Sequence, residues 1–450
     1  MRIALHTLGC KLNYSETATI REHLRSRGHQ VVEFGHEMDV LVINTCSVTD
    51  NADVECRKLV RRGLRSAPQA KIVVTGCYAQ LQPEEIASID GVSAVIGTAQ
   101  KFTIGEKLEQ ISSSNGPLVF VDDITTATAF NPSRTGRGDS RTRAFVKIQD
   151  GCDYSCTFCT IPLARGKARA MGIEDVKLEL ELVAREGYHE VVLSGINIGE
   201  YRTDDGRRFI DVMRMIEKME PLFRVRISSI EPNTISDDVI DLLSTSSVFT
   251  PHLHIPLQSG SATTLRAMKR RYNPEMYSRL LDVLVERIPD VAIGIDVITG
   301  FPGETHEHFE ETVEFLRGLP CSYLHVFTYS ERDNTPAASL GGHVDVSIRR
   351  ARTQILRALS EQKTTQFYEQ QCGTERIMIP EGYDGATGLW SGWTENHVAV
   401  HMEAPSNLVK QPYHVHLSHC FNGGVRVVPI GVLAFHTAPL LNVLTQKELE

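Results

Sequence analysis

The chain has 450 residues, 41% hydrophobic and 23% charged, with a formal net charge of -9 and ten cysteines. That length accommodates two or three domains with sizeable cores, and the composition is that of an ordinary soluble protein. No apolar run approaches the ~18 residues of a membrane span. Met1-Arg2-Ile3-Ala4-Leu5-His6 lacks the apolar region and cleavage site of a secretory signal, so a cytoplasmic location without a membrane partner is expected. Ten cysteines there point to metal or catalysis rather than disulfides. The negative charge argues against a protein coated in nucleic acid while leaving room for local basic patches.

Arg2 to Leu8 reads as a strand and Asn13 to Arg27 as a helix; Gln30–Phe34, a strand Asp39–Thr45, a helix from about Asp50 to Arg65 and a strand Lys71–Thr75 follow. This alternation, with near-continuous apolar strands, predicts an α/β unit with a doubly wound parallel sheet over residues 1–125. Cys10, Cys46 and Cys77 each come just after one of these strands. Ligands of such sheets sit outside the strands' carboxyl ends, so three cysteines far apart in sequence can converge on one point. Any one alone reads as a small buried hydrophobe. Arg57, Lys58, Arg61, Arg62 and Arg65 recur at helical spacing, either as a solvated face or as a surface for phosphates.

Residues 126–143 are rich in Ser, Thr, Gly and Arg and read as a linker, with Arg134, Arg137, Arg141 and Arg143 serving solubility or touching phosphate. The apolar run Ala144–Ile148 then leads into Asp150-Gly151-Cys152-Asp153-Tyr154-Ser155-Cys156-Thr157-Phe158-Cys159. Three clustered thiolates are a soft-ligand set for zinc or an iron-sulfur cluster. Structural zinc or an electron-transfer cluster wants four protein ligands, and no fourth lies near. A zinc site completed from a distance is the alternative to an iron cluster with one open iron. The spacing, with Phe158 before the third cysteine, is that of the radical S-adenosylmethionine (radical SAM) signature, and the chain resembles that superfamily. The resemblance implies a 4Fe-4S cluster on Cys152, Cys156 and Cys159, with SAM on the open iron as the source of a 5′-deoxyadenosyl radical.

Beyond this loop, strand patterns at Val191–Ser194, Arg224–Ser229, His252–Leu257, Ile293–Thr299 and Tyr323–Thr328 alternate with helical stretches. Together with the strand before Cys152 they make a partial (β/α)6 barrel over residues 144–371. Polar residues and glycines gather at the strand ends: Ser194, Gly195 and Asn197; Ser228, Ser229 and Glu231; Gln258, Ser259 and Gly260; and Thr299 to Glu304. Each alone reads as a turn; together they offer hydrogen bonds to SAM. Phe158, Gly195, Asn197, Ser229, Glu231, Gln258 and Arg165 are the expected cofactor-binding residues, Arg165 lying in a basic segment placed to pin the SAM carboxylate or a substrate phosphate. Arg266, Lys269, Arg270 and Arg271 read as a basic cluster or as a helix's solvated end, and acids between Tyr329 and Pro336 count against RNA contact there.

Val346–Gln371 is expected to be a helix packed across the barrel. Short runs at Glu375–Ile379, Ala386–Leu389, His397–Met402, His414–Leu417 and Val425–Val428 predict a small β module over 372–436, followed by a tail, 437–450. Its acids outnumber its Lys and Arg, which is a weak electrostatic case for RNA; Trp390, Trp393, Tyr413 and the histidines are either core or stacking platforms for bases. Cys321, Cys372 and Cys420 read as structural thiols.

Leu8-Gly9-Cys10-Lys11-Leu12-Asn13 with Glu16, Asn44-Thr45-Cys46-Ser47-Val48-Thr49 and Thr75-Gly76-Cys77-Tyr78-Ala79-Gln80 resemble the N-terminal domain of the radical SAM methylthiotransferases. Gly-Cys-Lys-Leu-Asn and Asn-Thr-Cys-Ser-Val-Thr are similar to the branch acting on N6-threonylcarbamoyladenosine (t6A) beside the tRNA anticodon. The isopentenyladenosine branch typically has Gln-Met-Asn after the first cysteine. The resemblance implies a second 4Fe-4S cluster on Cys10, Cys46 and Cys77 that carries the sulfur to be transferred, and a C-terminal TRAM module. It also implies two uses of SAM, as methyl and as radical source, and a tRNA anticodon loop as partner alongside an unidentified electron donor and sulfur source. Methylthiolation of a ribosomal-protein side chain is the alternative within this chemistry, and a non-catalytic metal-bearing RNA-binding protein the alternative outside it.

Overall fold

The computed structural model describes residues 1–46, 50–135, 142–219 and 224–433; Arg137, Arg141, the Ser47-Val48-Thr49 flank of Cys46 and the tail 437–450 lie outside them. β1 (Arg2–Thr7), β2 (Gln30–Val32), β3 (Val40–Thr45), β4 (Lys71–Gly76), β5 (Val92–Ile96) and β6 (Leu118–Phe120) form one parallel sheet in the order β2-β1-β3-β4-β5-β6. Every residue of β3 is buried, as a strand covered on both faces requires. Leu41, Ile43, Ile72 and Val74 pack on one face and Val40, Val42, Val73 and Ala94 on the other. This is the doubly wound arrangement that the alternation predicts. β5 and β6 escape the sequence pattern because Ser93 interrupts the first and the second is three residues long. Strand order reverses at β1, so the crevice of the sheet opens between β1 and β3.

The second unit contains β7 (Ser133–Arg134), β8 (Arg143–Asp150), β9 (Arg169–Ala170), β10 (Glu190–Gly195), β11 (Arg224–Ile227), β12 (His252–His254), β13 (Ala292–Thr299) and β14 (Tyr323–Thr328). Parallel pairing runs β8-β10-β11 and β12-β13-β14, and parallel bridges Val225↔Phe249 and Ser229↔His254 join the halves. Six parallel strands thus make the expected partial barrel, with β7 and β9 added antiparallel to β8. Period-two alternation sorts the strands' side chains. Val146, Leu193, Val225, Leu253, Ile295 and Val326 share one apolar core with the surrounding helices. Their neighbours Lys147, Glu190, Arg226, His252, His254, Asp296 and His325 leave the barrel interior strongly polar.

Part of the expected linker is ordered structure. β7 pairs with β8, and Arg134 is held by Glu179 (2.8 Å) and Glu186 (2.9 Å), while Arg143 pairs with Glu381 at 2.6 Å. These two arginines are committed to protein carboxylates rather than to phosphate or solvent.

The helix Val346–Gln371 leads to a closed barrel of β15 (Glu375–Asp384), β16 (Leu389–Thr394), β17 (Ala399–Glu403), β18 (Tyr413–Phe421) and β19 (Gly424–Val432). The strand expected at Ala386–Leu389 starts only at Leu389. The Asp384 carboxylate accepts from the Ala386 amide (2.9 Å) and the Thr387 hydroxyl (2.7 Å), and Gly388 takes φ +72°, which makes this stretch a turn. The module stops the amino end of the large barrel: Arg224 donates to the Ile377 carbonyl (2.8 Å) and Arg226 to the Thr394 carbonyl (3.3 Å). Trp393 stacks on His397 (4.4 Å between ring centres), which lies 4.2 Å from His252; Trp390 and Tyr413 are buried. These aromatics serve packing, not base stacking.

Candidate active site

Cys10, Cys46 and Cys77 follow β1, β3 and β4, which are neighbours in the sheet, so the fold brings the three together. The close approach depends on glycine. Gly9 has φ +95°, and a Cβ on it would stand 2.4 Å from the Cys46 Cβ; Gly76 has φ +99°, and a Cβ there would meet the Thr45 carbonyl oxygen at 2.3 Å. The Asn13 amide ties these loops by donating to the carbonyls of Leu8 (2.9 Å) and Thr45 (2.8 Å). Cys46 and Cys77 are buried and Cys10 is exposed, which gives the trio one open side.

The loop after β8 presents its sulfurs differently. The Tyr154 amide donates to Cys152 Sγ and the Ile161 amide to Cys159 Sγ, both at 3.4 Å, Asn197 Nδ2 lies 3.9 Å from Cys152 Sγ, and Arg270 Nη1 donates to Cys156 Sγ at 3.0 Å. Burial pushes the Cys159 thiol up to about 12 and raises those of Cys152 and Cys77, so these sulfurs ionise with the help of a positive partner such as iron. Three sulfurs with donors aimed at them are a donor set suited to an iron-sulfur cluster. Two buried acceptors nearby, Asn197 Oδ1 and Ser228 Oγ, have no hydrogen-bond partner among the described residues. A ligand bearing N–H groups beside the cysteines would satisfy both.

A cavity of about 240 Å³ opens beside this loop, bounded by Phe158, Cys159, Thr160, Gln258, Asp296 and Tyr329 among others. Of the expected SAM contacts, Phe158 and Gln258 line it; Gly195 and Asn197 end β10, where the Asn197 carbonyl accepts from Gln149 at 3.0 Å. Ser229 turns instead to His254 Nδ1 (2.9 Å). Glu231 is taken by Arg270 in an ion pair. Arg270 itself is a correction: it sits buried between Glu231, Tyr272 and Cys156, not on a solvated helix end. Nothing in its local sequence separates it from Arg271, because its role depends on a loop more than a hundred residues away.

Arg165 corrects a second expectation. Its guanidinium, 1% exposed, donates to Asn13 Oδ1 (2.9 Å), both Glu16 oxygens (2.9 and 3.2 Å) and Asp150 Oδ1 (2.9 Å), which leaves it no direct part in holding a small ligand. Lys101 (2.6 Å) and Lys147 (3.3 Å) complete the shell of Glu16, and Lys147 also meets Asp150 at 3.0 Å. This buried network joins the first sheet's helix to the barrel strand that carries the cysteine loop. Burial alone would raise Glu16 and Asp150; the surrounding cations overcome it and hold both well below the usual carboxyl range. On the helix Asp50–Ser66, Arg57 pairs with Glu85, Lys58 with Glu55 (3.5 Å) and Arg62 lies over Phe34 (4.8 Å), while Arg61 and Arg65 are exposed.

Residues 2–97 match the family described as "Uncharacterized protein family UPF0004" and residues 146–316 the Radical SAM superfamily. The threonylcarbamoyladenosine tRNA methylthiotransferase MtaB of Bacillus subtilis is 38% identical over 412 residues, covering 90% of this chain and 91% of its own. The tRNA-2-methylthio-N(6)-dimethylallyladenosine synthase of Desulfotalea psychrophila is 32% identical, covering 85% and 88%. In fold, the chain is similar to the radical S-adenosylmethionine methyltransferase TsrM from Kitasatospora setae, with a TM-score of 0.59, 14% identity and 75% of each chain covered. SAM and 4Fe-4S clusters are the cofactors of such enzymes. With two cysteine trios set on a doubly wound sheet and a partial barrel, and with relatives this similar along nearly all its length, the chain belongs to the radical SAM tRNA methylthiotransferases.

Proposed function

We propose that the protein methylthiolates C2 of N6-threonylcarbamoyladenosine next to the anticodon of tRNA, with Cys152, Cys156 and Cys159 holding the radical-generating cluster and Cys10, Cys46 and Cys77 the sulfur-donating one. The observation that carries this reading is the pairing of the two trios through Arg165, Glu16 and Asp150, which fixes one site relative to the other. The choice of t6A is supported by the Lys11-Leu12-Asn13 flank of Cys10 and by the name of the Bacillus subtilis relative.

Bound at these sites, SAM and the two clusters supply a 5′-deoxyadenosyl radical, a methyl group and sulfur. The chain's own residues do the rest. Asn197 Oδ1 and Ser228 Oγ would be free to accept from N–H groups of bound SAM, Phe158 and Gln258 bound the cavity beside Cys159, and Arg270 damps the negative charge at Cys156. Glu231 and Ser229 act at one remove, by holding Arg270 and His254. The base leaves its stack to enter between the sites, a smaller cost for an unpaired loop nucleotide. Residues 1–125 and 144–371 are the units we assign to sulfur transfer and radical formation, with 372–436 as a TRAM-like β module, in a cytoplasmic enzyme.

The test is anaerobic turnover of the cluster-reconstituted protein with SAM, reductant, sulfide and tRNA bearing either t6A or dimethylallyladenosine, read by nucleoside mass spectrometry. A methylthio-shifted t6A nucleoside is the expected product. Product from the dimethylallyl tRNA alone would move the enzyme to the other branch.

A further inference from the structure

The chemistry above leaves one cluster on the barrel's inner wall without a task. His254 on β12, Asp296 on β13 and His325 on β14 come from three neighbouring parallel strands. In their register Asp296 stands opposite His325, and His254 stands opposite Gly294, two positions before Asp296. Side chains two apart on a strand share a face, so strand pairing brings the three together. Both imidazoles turn a nitrogen toward the same carboxylate oxygen. His254 Nε2 lies 2.8 Å and His325 Nδ1 3.5 Å from Asp296 Oδ1, and one ligand atom from each residue fits within a span of 4.8 Å.

Charge and spacing mark this cluster as more than a hydrogen-bonded chain. Asp296 is mostly buried and, among the described residues, forms no ion pair with a lysine or arginine. Neutral imidazoles leave its negative charge in place, and a buried charge is costly until a cation completes it. With metal bonds of about 2.0–2.2 Å to nitrogen and oxygen, the edge of a zinc tetrahedron is roughly 3.4 Å. The 3.5 Å contact is long for a hydrogen bond but fits that edge as it stands. The 2.8 Å contact reaches it after a ring shift of about 0.6 Å.

The surroundings suit a metal as well. Ser229 Oγ lies 2.9 Å from His254 Nδ1 and so holds the ring with Nε2 facing inward, the kind of outer contact that metal-bound histidines make. The Tyr323 ring, 5.1 Å from that of His325 and 6.3 Å from that of His254, closes the floor. Asp296 borders the cavity that contains Cys159 and Gln258, and the exposed His325 borders an open groove with Arg357 and Glu361, so a cation has a way in. One layer deeper, His252 Nε2 meets the Tyr323 hydroxyl (2.8 Å) rather than a carboxylate, and the same argument does not extend to it.

We infer that His254, Asp296 and His325 bind one divalent metal ion of the zinc class, without help from either cysteine trio. Two imidazole nitrogens and a carboxylate oxygen, with no thiolate, are a donor set for zinc(II) rather than for an iron-sulfur cluster. Three protein ligands leave the fourth position to water or to an oxygen of a molecule in the cavity. The site is the same whichever nucleoside is modified.

The experiment uses the full chain with its clusters reconstituted, equilibrated with zinc(II) or with cobalt(II) as a spectroscopic stand-in, and measures bound metal and iron together by elemental analysis. Wild type is expected to hold one zinc per chain in addition to its iron. Asp296→Asn and His325→Ala should each weaken zinc binding by about a hundred-fold or more, and Ser229→Ala by about tenfold, as the losses of a ligand and of a ligand's support. His325→Cys keeps the metal, and its cobalt form should gain a sulfur-to-cobalt charge-transfer band that the wild-type difference spectrum lacks. That band reports contact at position 325 even where the alanine variant folds poorly. A wild type with no zinc beside its iron, zinc held equally by D296N and H325A, or no new band in H325C overturns the inference and reduces the cluster to a hydrogen-bonded chain.

Discussion

The two cysteine sites are built in opposite ways. Cys152, Cys156 and Cys159 share one loop, whose own backbone points amides at two of the sulfurs and so fixes much of its geometry locally. Cys10, Cys46 and Cys77 come from three separate strand ends, and their arrangement is inherited from sheet register, from the glycines at 9 and 76 and from the Asn13 clamp. A local site tolerates disturbance elsewhere in the molecule; an inherited one reports it. The comparison can be broken most directly at the cysteines. Cys152→Ala is expected to abolish both SAM cleavage and methylthiolation, whereas Cys10→Ala keeps deoxyadenosine formation and loses the methylthio product. Iron content, deoxyadenosine yield and nucleoside mass spectrometry decide it, and loss of SAM cleavage in the Cys10 variant would deny the sites their separate tasks.

Arg165 tests whether the inherited site depends on the barrel. Arg165→Met leaves Glu16 and Asp150 buried with less compensation, and removing one partner of such a network costs about 3–5 kcal/mol. Thermal unfolding of the cluster-free protein should show that loss. On gradual chelation, the variant should also release iron first from the Cys10, Cys46 and Cys77 site. Unchanged melting and even iron release would reduce the brace to an incidental contact.

Arg270 probes the local site from outside. Arg270→Lys removes the planar donor that serves Cys156 and Glu231 together, while keeping a positive charge. The cluster should still assemble, with a more negative reduction potential because a hydrogen bond to sulfur is lost, and SAM cleavage should slow by about tenfold. Redox titration followed by electron paramagnetic resonance measures the first effect. An unchanged potential would mean that the contact does not act on the cluster.

These residues also mark how far the fold and the site can be read from the chain. The cysteine loop was legible because its ligands are close in sequence, and the first trio because each cysteine follows a clear apolar strand. The six barrel strands were legible from their alternation with helices. Arg270 and Arg165 were not. Each looks like one basic residue among several, and what distinguishes them is a partner contributed by a distant element. The linker arginines 134 and 143 misled for the same reason: Glu179, Glu186, Glu190 and Glu381 reach them only through the tertiary fold.

The smallest expected effect compares the two seams of the barrel by pH. Burial would raise Glu190, but Arg224 and Arg226 hold it well below the usual range, as the cations around Glu16 and Asp150 do at the other seam. A carboxyl depressed in the folded state contributes its stability above its unfolded value, ~4.3 for Glu and ~3.9 for Asp, and loses it as pH falls through the folded value. Both seams are therefore undisturbed near neutrality and loosen only below about pH 4. Hydrogen exchange on the cluster-free protein should show amides around Thr394–His397 and around Asn13–Glu16 opening together in that range. Glu190→Gln should remove the pH dependence at the first seam and leave it at the second. If the substitution changed both, the seams would be one cooperative unit, and the first cysteine trio would depend on the C-terminal module as well as on Arg165.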